Sequence, residues 1–134
     1  MDSLQPTKAF LVVLCAVFFP YGIYCFVAPD FLAGAAGVAG TTSTGVTEIR
    51  AMYGGLQAAF GLLLLAAARD SRLTLAGVAA AAFVLPGLAL ARLLGVLVGG
   101  GLSSYTIGTL VFEIGSSAVA VPLLRRQLAM MRGN

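Results

Sequence analysis

The chain has 134 residues, 60% of them apolar and 10% charged, with no histidine or tryptophan, a net charge of +3 and a mean hydropathy of +1.00. Soluble domains carry roughly 25% charged residues, and a bilayer span needs about 20 apolar ones. The composition therefore excludes an ordinary soluble fold, leaves room for four spans with short links, and leaves no separate soluble domain for catalysis or nucleic-acid binding.

Residues 1–8 form a polar lead with Pro6 and Lys8. The first predicted helix is about 9–27, AFLVVLCAVFFPYGIYCFV, with a kink at Pro20 that membrane helices tolerate. Its apolar run exceeds the usual core of a signal peptide, although the small residues from Ala33 to Gly40 keep cleavage open as an alternative. Cys15 and Cys25 are ten residues apart, about 15 Å along one helix. That is too far for a disulfide, so both read as packed thiols. Tyr21 and Tyr24 near the far end suit an interfacial aromatic belt.

Residues 29–46 are rich in Gly, Ala and Thr and read as a loop, with a short half-buried turn at Phe31 and Leu32. Thr44 or Thr47 is the expected cap of the second helix, about 47–68. The charged link Arg69, Asp70, Ser71, Arg72 follows. A third helix, about 73–94, contains Pro86 and a small-residue repeat, Gly87, Ala91 and Gly95, which lets membrane helices approach closely. Gly99, Gly100, Gly101 and Ser103 make a turn before a fourth helix, about 105–124. The expected fold is an all-α integral membrane protein, a single antiparallel bundle of four transmembrane helices.

Six of the eight basic residues (Lys8, Arg69, Arg72, Arg125, Arg126, Arg132) fall on one side if the helices alternate. The positive-inside rule then makes both termini cytoplasmic, in the inner (plasma) membrane. Arg50 and Arg92 are the exceptions. Arg50 stands 19 residues from Arg69 and Arg92 stands 20 from Arg72, about 28–30 Å at 1.5 Å per residue. Glu113 lies 12 residues before Arg125, about 18 Å up, inside the hydrocarbon core. An acid there costs about 2.5–3.5 kcal/mol on insertion scales and faces the interior or a wet cavity. Thr106, Thr109, Glu113, Ser116, Ser117 and Ala120 share one stripe of the fourth helix. The three charges are expected to converge in the outer half of the membrane, with Glu113 pairing with Arg92 or Arg50.

The second helix carries the densest polar segment, E-I-R-A-M-Y-G-G-L-Q from Glu48 to Gln57. At 100° per residue Arg50, Gly54, Gln57 and Gly61 form one stripe with Tyr53 beside it, while Glu48 points away as a first-turn acid. Arg50 sits near the positive end of its helix dipole and wants an anionic partner. Tyr53 is a belt aromatic or a pocket donor, and Gln57 seeks a partner. Gly54, Gly55 and Gly61 read as packing positions.

E-I-R-A-M-Y-G-G-L, then Gly61-Leu62, then A-L-A-R ending at Arg92 and a lone Glu113 resemble a family of small bacterial four-helix membrane proteins catalogued as a domain of unknown function, loosely similar to DoxX-like proteins. The resemblance covers nearly the whole chain and implies Glu48, Arg50, Tyr53, Gly54, Gly55, Arg92 and Glu113 as signature positions. It supplies no reaction. DoxX-like relatives have redox or quinone partners, but this chain brings no redox chemistry of its own.

Three functions stay open. The first is a polar pocket, formed by Glu113, Arg92, Arg50, Tyr53, Gln57 and Glu48, that binds or transports a small polar or lipid-like ligand. The second is an accessory subunit whose charges clasp its own helices, with a homo-oligomer or larger membrane complex as partner. The third is an intramembrane lipid-modifying enzyme with Glu113 as acid or base. The last is weakest, because the sequence offers no nucleophile paired with a base. No cofactor, metal site, catalytic set or nucleic-acid partner is expected beside the lipid bilayer.

Overall fold

The backbone of the computed structural model, described for residues 5–132, is helical throughout apart from short links. In chain order the elements are α1 (Gln5–Val27), α2 (Phe31–Ala36), α3 (Ser43–Ile49), a π-helical turn (Arg50–Gly55), α4 (Leu56–Arg69), α5 (Ser71–Gly99) and α6 (Ser104–Arg132). Four stretches of 23, 27, 29 and 29 residues are long and apolar enough to cross a membrane: α1, the α3–π–α4 rod, α5 and α6. At 1.5 Å per residue they reach about 35–44 Å against a hydrocarbon core of about 30 Å. This is a multi-pass, all-α membrane protein.

The helices run past the expected ends because charge terminates a span, not a helix. Beyond the lipid boundary the intrahelical hydrogen bonds continue, so α6 passes through Arg125 and Arg126 to Arg132, and α5 extends to Gly99 rather than 94. Pro6 lies in the first turn of α1, where its missing N–H goes unnoticed. The first part of the polar lead, residues 1–4, is outside the described residues. Of the charged link, only Asp70 is non-helical.

Local chemistry sets the breaks. Pro29 cannot donate to α1, which ends at Val27. The segment read as a loop contains α2 instead: Leu32 is fully buried and holds the turn in place. Gly37, at φ 71, closes it with a backbone bond to Leu32 O, and Val38 N–H reaches the same oxygen at 3.1 Å. Thr42, rather than Thr44 or Thr47, caps α3, accepting from Gly45 N–H at 3.0 Å. The helix starts a turn earlier than expected, so Thr47 is already inside it and donates to Ser43 O. Gly100, at φ 75, ends α5, and Ser103 caps α6 through Thr106 N–H at 3.1 Å.

The chain divides into two compact units, one ending at Ser71 and the next beginning at Arg72. In the first, α1 runs antiparallel to the π turn and α4, with Phe26 against Gly54 and Phe19 against Gly61. A Cβ on Gly54 would stand 2.8 Å from Phe26 Cβ, and one on Gly61 2.7 Å from Phe19 N. Gly22 answers from α1: a Cβ there would collide with Ala58 N and lie 2.7 Å from Gly54 O. Glycine is required at this crossing because the two backbones meet. Phe18 and Phe60 stack edge to face at 4.9 Å beside it. Cys15 and Cys25 are buried free thiols, Cys25 within a cluster with Leu32 and Ile49. In the second unit α5 turns through 100–103 into α6.

Candidate functional site

Each unit carries one polar constellation. In the second unit, α5 buries Thr74, Gly77, Val78, Ala81, Ala82, Leu85 and Ala89 at three- and four-residue spacing, and Arg92 follows on the same face. On α6 the stripe expected from the sequence is the hidden one: Glu113 and Ala120 are buried, and Thr106, Thr109, Ser116 and Ser117 are half-buried.

Arg92 and Glu113 meet as a planar fork on a carboxylate. Nη2 donates to Oε1 at 2.9 Å and Nε donates to Oε2 at 3.2 Å. The Glu113 side chain is 4% exposed and that of Arg92 28%. This two-point geometry is the stronger form of the charged hydrogen bond, and it uses both carboxylate oxygens. Glu113 pairs with Arg92, not with Arg50. The hydroxyls around it are turned inward to their own helix: Thr109 Oγ1 reaches Tyr105 O at 2.9 Å and Thr106 O at 3.0 Å, and Ser117 Oγ donates to Glu113 O at 2.6 Å. Such bonding to the preceding turn satisfies the hydroxyls without a solute.

In the first unit the π turn changes the expected geometry. Leu56 N–H bonds to Ala51 O, five residues back, so one extra residue is absorbed between Arg50 and Gly55. Everything before the turn is rotated by about 100° relative to an unbroken helix. The expected stripe of Arg50, Gly54, Gln57 and Gly61 is thereby broken. Ile49, twelve positions before Gly61, behaves as if eleven before it and joins the Gly54/Gly61 line, where it is buried. Arg50 is turned to the flank and is exposed.

From that flank Arg50 Nε donates to Phe26 O at 3.1 Å. Phe26 belongs to the last turn of α1, where carbonyls lack intrahelical partners and the dipole is negative. The partner the structure gives Arg50 is thus a neutral main-chain carbonyl at the C-terminus of α1 rather than the anionic group expected. Its two terminal nitrogens make no hydrogen bond or ion pair among the described residues. Glu48 is exposed, and Tyr53 packs half-buried against the Cys25, Leu32 and Ile49 cluster. Gln57 is half-buried with no hydrogen-bond partner among the described residues.

The glycines divide the same way. Gly54 and Gly61 are in the helix crossing, whereas a Cβ on Gly55 would touch only Arg50 O at 3.7 Å. Gly87 and Gly95 face open space, and Ala91 is exposed with them. Sequence reasoning missed Gly22, although a lone glycine in α1 is a visible signal of close approach. It also missed the Phe26 carbonyl, for which a sequence has no letter. Among the described residues no group of three His, Cys, Asp or Glu is placed to hold a metal ion.

A model of the family described as "Domain of unknown function (DUF4345)" matches residues 6–124. No curated protein and no solved structure matches the chain.

Proposed function

We propose that this chain, which belongs to the DUF4345 family of unknown function, serves as an accessory subunit of a larger membrane complex. Its intramembrane charges fix its own helices, and its outward faces are left for a partner. The observation that carries this reading is the two-point Arg92–Glu113 pair, in which the most costly group in the bilayer is spent inside the chain. The open small-residue face of α5, with Gly87, Ala91 and Gly95, suits close approach of a partner helix or of a second copy. Positive-inside charge favours cytoplasmic termini and insertion in the inner (plasma) membrane.

Crosslinking of a tagged chain in native membranes, followed by mass spectrometry of the purified species, tests this. A defined partner at fixed stoichiometry is expected, with loss of that partner on Gly87→Leu. A chain that runs alone in every condition and carries a discrete small-molecule mass would sink the subunit reading. Binding of a small polar or lipid-like ligand is the second reading, and the Arg50 guanidinium, held by one nitrogen with the others open, is what favours it.

A further inference from the structure

We infer that Arg50 and the apolar face of α1 that ends in the same turn as the Phe26 carbonyl form a binding site for an anionic phospholipid, with the phosphate on the Arg50 guanidinium and an acyl chain along that face. The inference deepens the second reading above and rests on it.

Depth comes first. Arg50 and Arg69 stand 19 residues apart on one rod, about 28 Å, which spans a hydrocarbon core of about 30 Å. Arg50 therefore lies at the head-group level of the face opposite Arg69. The guanidinium there is oriented: Nε is fixed to Phe26 O, so the terminal nitrogens project as a set of N–H donors suited to two-point recognition of phosphate. Asp30 and Glu48, the carboxylates nearest in sequence, are exposed and form no ion pair with it. An anion arriving from the membrane meets a positive charge that is positioned and not neutralised.

The apolar face supplies the second half. Phe19, Pro20, Ile23, Tyr24 and Val27 line a shallow, open apolar groove along one face of α1. Tyr24 and Val27 belong to the same last turn whose Phe26 carbonyl holds Arg50. Pro20, which has no N–H to donate, lies toward the groove's inner end. Tyr24 stacks against Phe31 at 5.0 Å, which places an aromatic pair at the level where belts meet head groups. A single lipid can thus lay its phosphate at Arg50 and its tail toward Phe19. A zwitterionic lipid carries a choline or ethanolamine cation beside its phosphate, which the guanidinium repels, so the site selects an anionic head group.

The test is native mass spectrometry of detergent-solubilised full-length protein titrated with phosphatidylglycerol, with phosphatidylcholine of the same chains, and with glycerol 1-phosphate. Wild type is expected to retain one phosphatidylglycerol roughly tenfold more tightly than phosphatidylcholine, in line with one or two charge-assisted bonds. Arg50→Gln, folded by circular dichroism, is expected to lose that preference. If Arg50→Gln fails to fold, Ile23→Trp decides: it fills the groove without touching the Arg50–Phe26 bond, and unchanged retention would overturn the site. Equal retention of the two lipids by wild type, or a preference that survives Arg50→Gln, overturns the head-group assignment. Saturable, Ile23-dependent retention of phosphatidylcholine in that case leaves the ligand reading standing. Glycerol 1-phosphate binding as tightly as the lipid removes the groove from the site, and retention of no lipid at all sinks both the inference and the reading beneath it.

Discussion

Arg92 and Glu113 make opposite demands when separated, and the structure sets their sizes. Charge centres roughly 4 Å apart at an effective dielectric near 20 attract by about 4 kcal/mol. Arg92→Gln leaves a carboxylate that is only 4% exposed with no cation beside it, a loss of about 3–5 kcal/mol. Glu113→Gln leaves an arginine that is 28% exposed, whose long stem lets the head reach toward polar surroundings, so its loss is smaller, about 1–2 kcal/mol. The double Gln variant removes both charges together and is milder than either single change. The assay is reversible unfolding in mixed micelles of all four proteins, with the coupling energy taken from the cycle. Coupling of about 2 kcal/mol or more, with Arg92→Gln the worst variant, is expected. A double variant that equals the sum of the singles, or Glu113→Gln worse than Arg92→Gln, would refute the clasp and the ranking drawn from burial.

Gly61→Leu is expected to lower the melting temperature in detergent sharply, since backbone atoms of Phe19 occupy the space and overpacking costs about 1–3 kcal/mol or more. Gly87→Leu faces open space, so an unchanged melting temperature of the isolated chain is the expected control; equal losses at both positions would remove the distinction between crossing and open glycines. Deleting Met52, an exposed residue of the π turn, turns that turn into ordinary α-helix and keeps Ile49 in line with Gly61, so the chain folds. Deleting Leu63 instead rotates Leu64, Ala67 and Ala68, all buried, out of register; a deletion of Met52 that is no better tolerated would show that the extra residue is not what sets the register. Thr42→Ala removes the cap on α3 and is expected to cost about 1 kcal/mol, read as faster hydrogen exchange at Gly45, whereas Thr44→Ala leaves that exchange unchanged.

The two polar sites were legible to different degrees. The α6 stripe followed from counting along a regular helix, because nothing between Thr106 and Ala120 interrupts the 100° step, and an acid in that stripe announces a buried partner. That the partner is Arg92 needed three dimensions, since depth alone left Arg50 equally eligible. The Arg50 segment misled for a definite reason. Its stripe assumed a uniform helix, and the π turn added one residue where Gly54 and Gly55 make the backbone permissive. The same single residue exchanges Ile49 for Arg50 on the packed face.

The sequence by itself determined that this is a membrane protein with four spans, because lipid admits only long apolar helices and the apolar runs are written in order. It also determined which groups are costly in lipid, since charge is a property of the residue type. Only the tertiary structure decided what answers them: a carboxylate from the next helix for Arg92, and a bare main-chain carbonyl at the end of α1 for Arg50. The physical reason is that a partner is chosen by distance and direction. Those are set by where helices cross, where one gains a residue, and where a helix ends and leaves its last carbonyls unbonded.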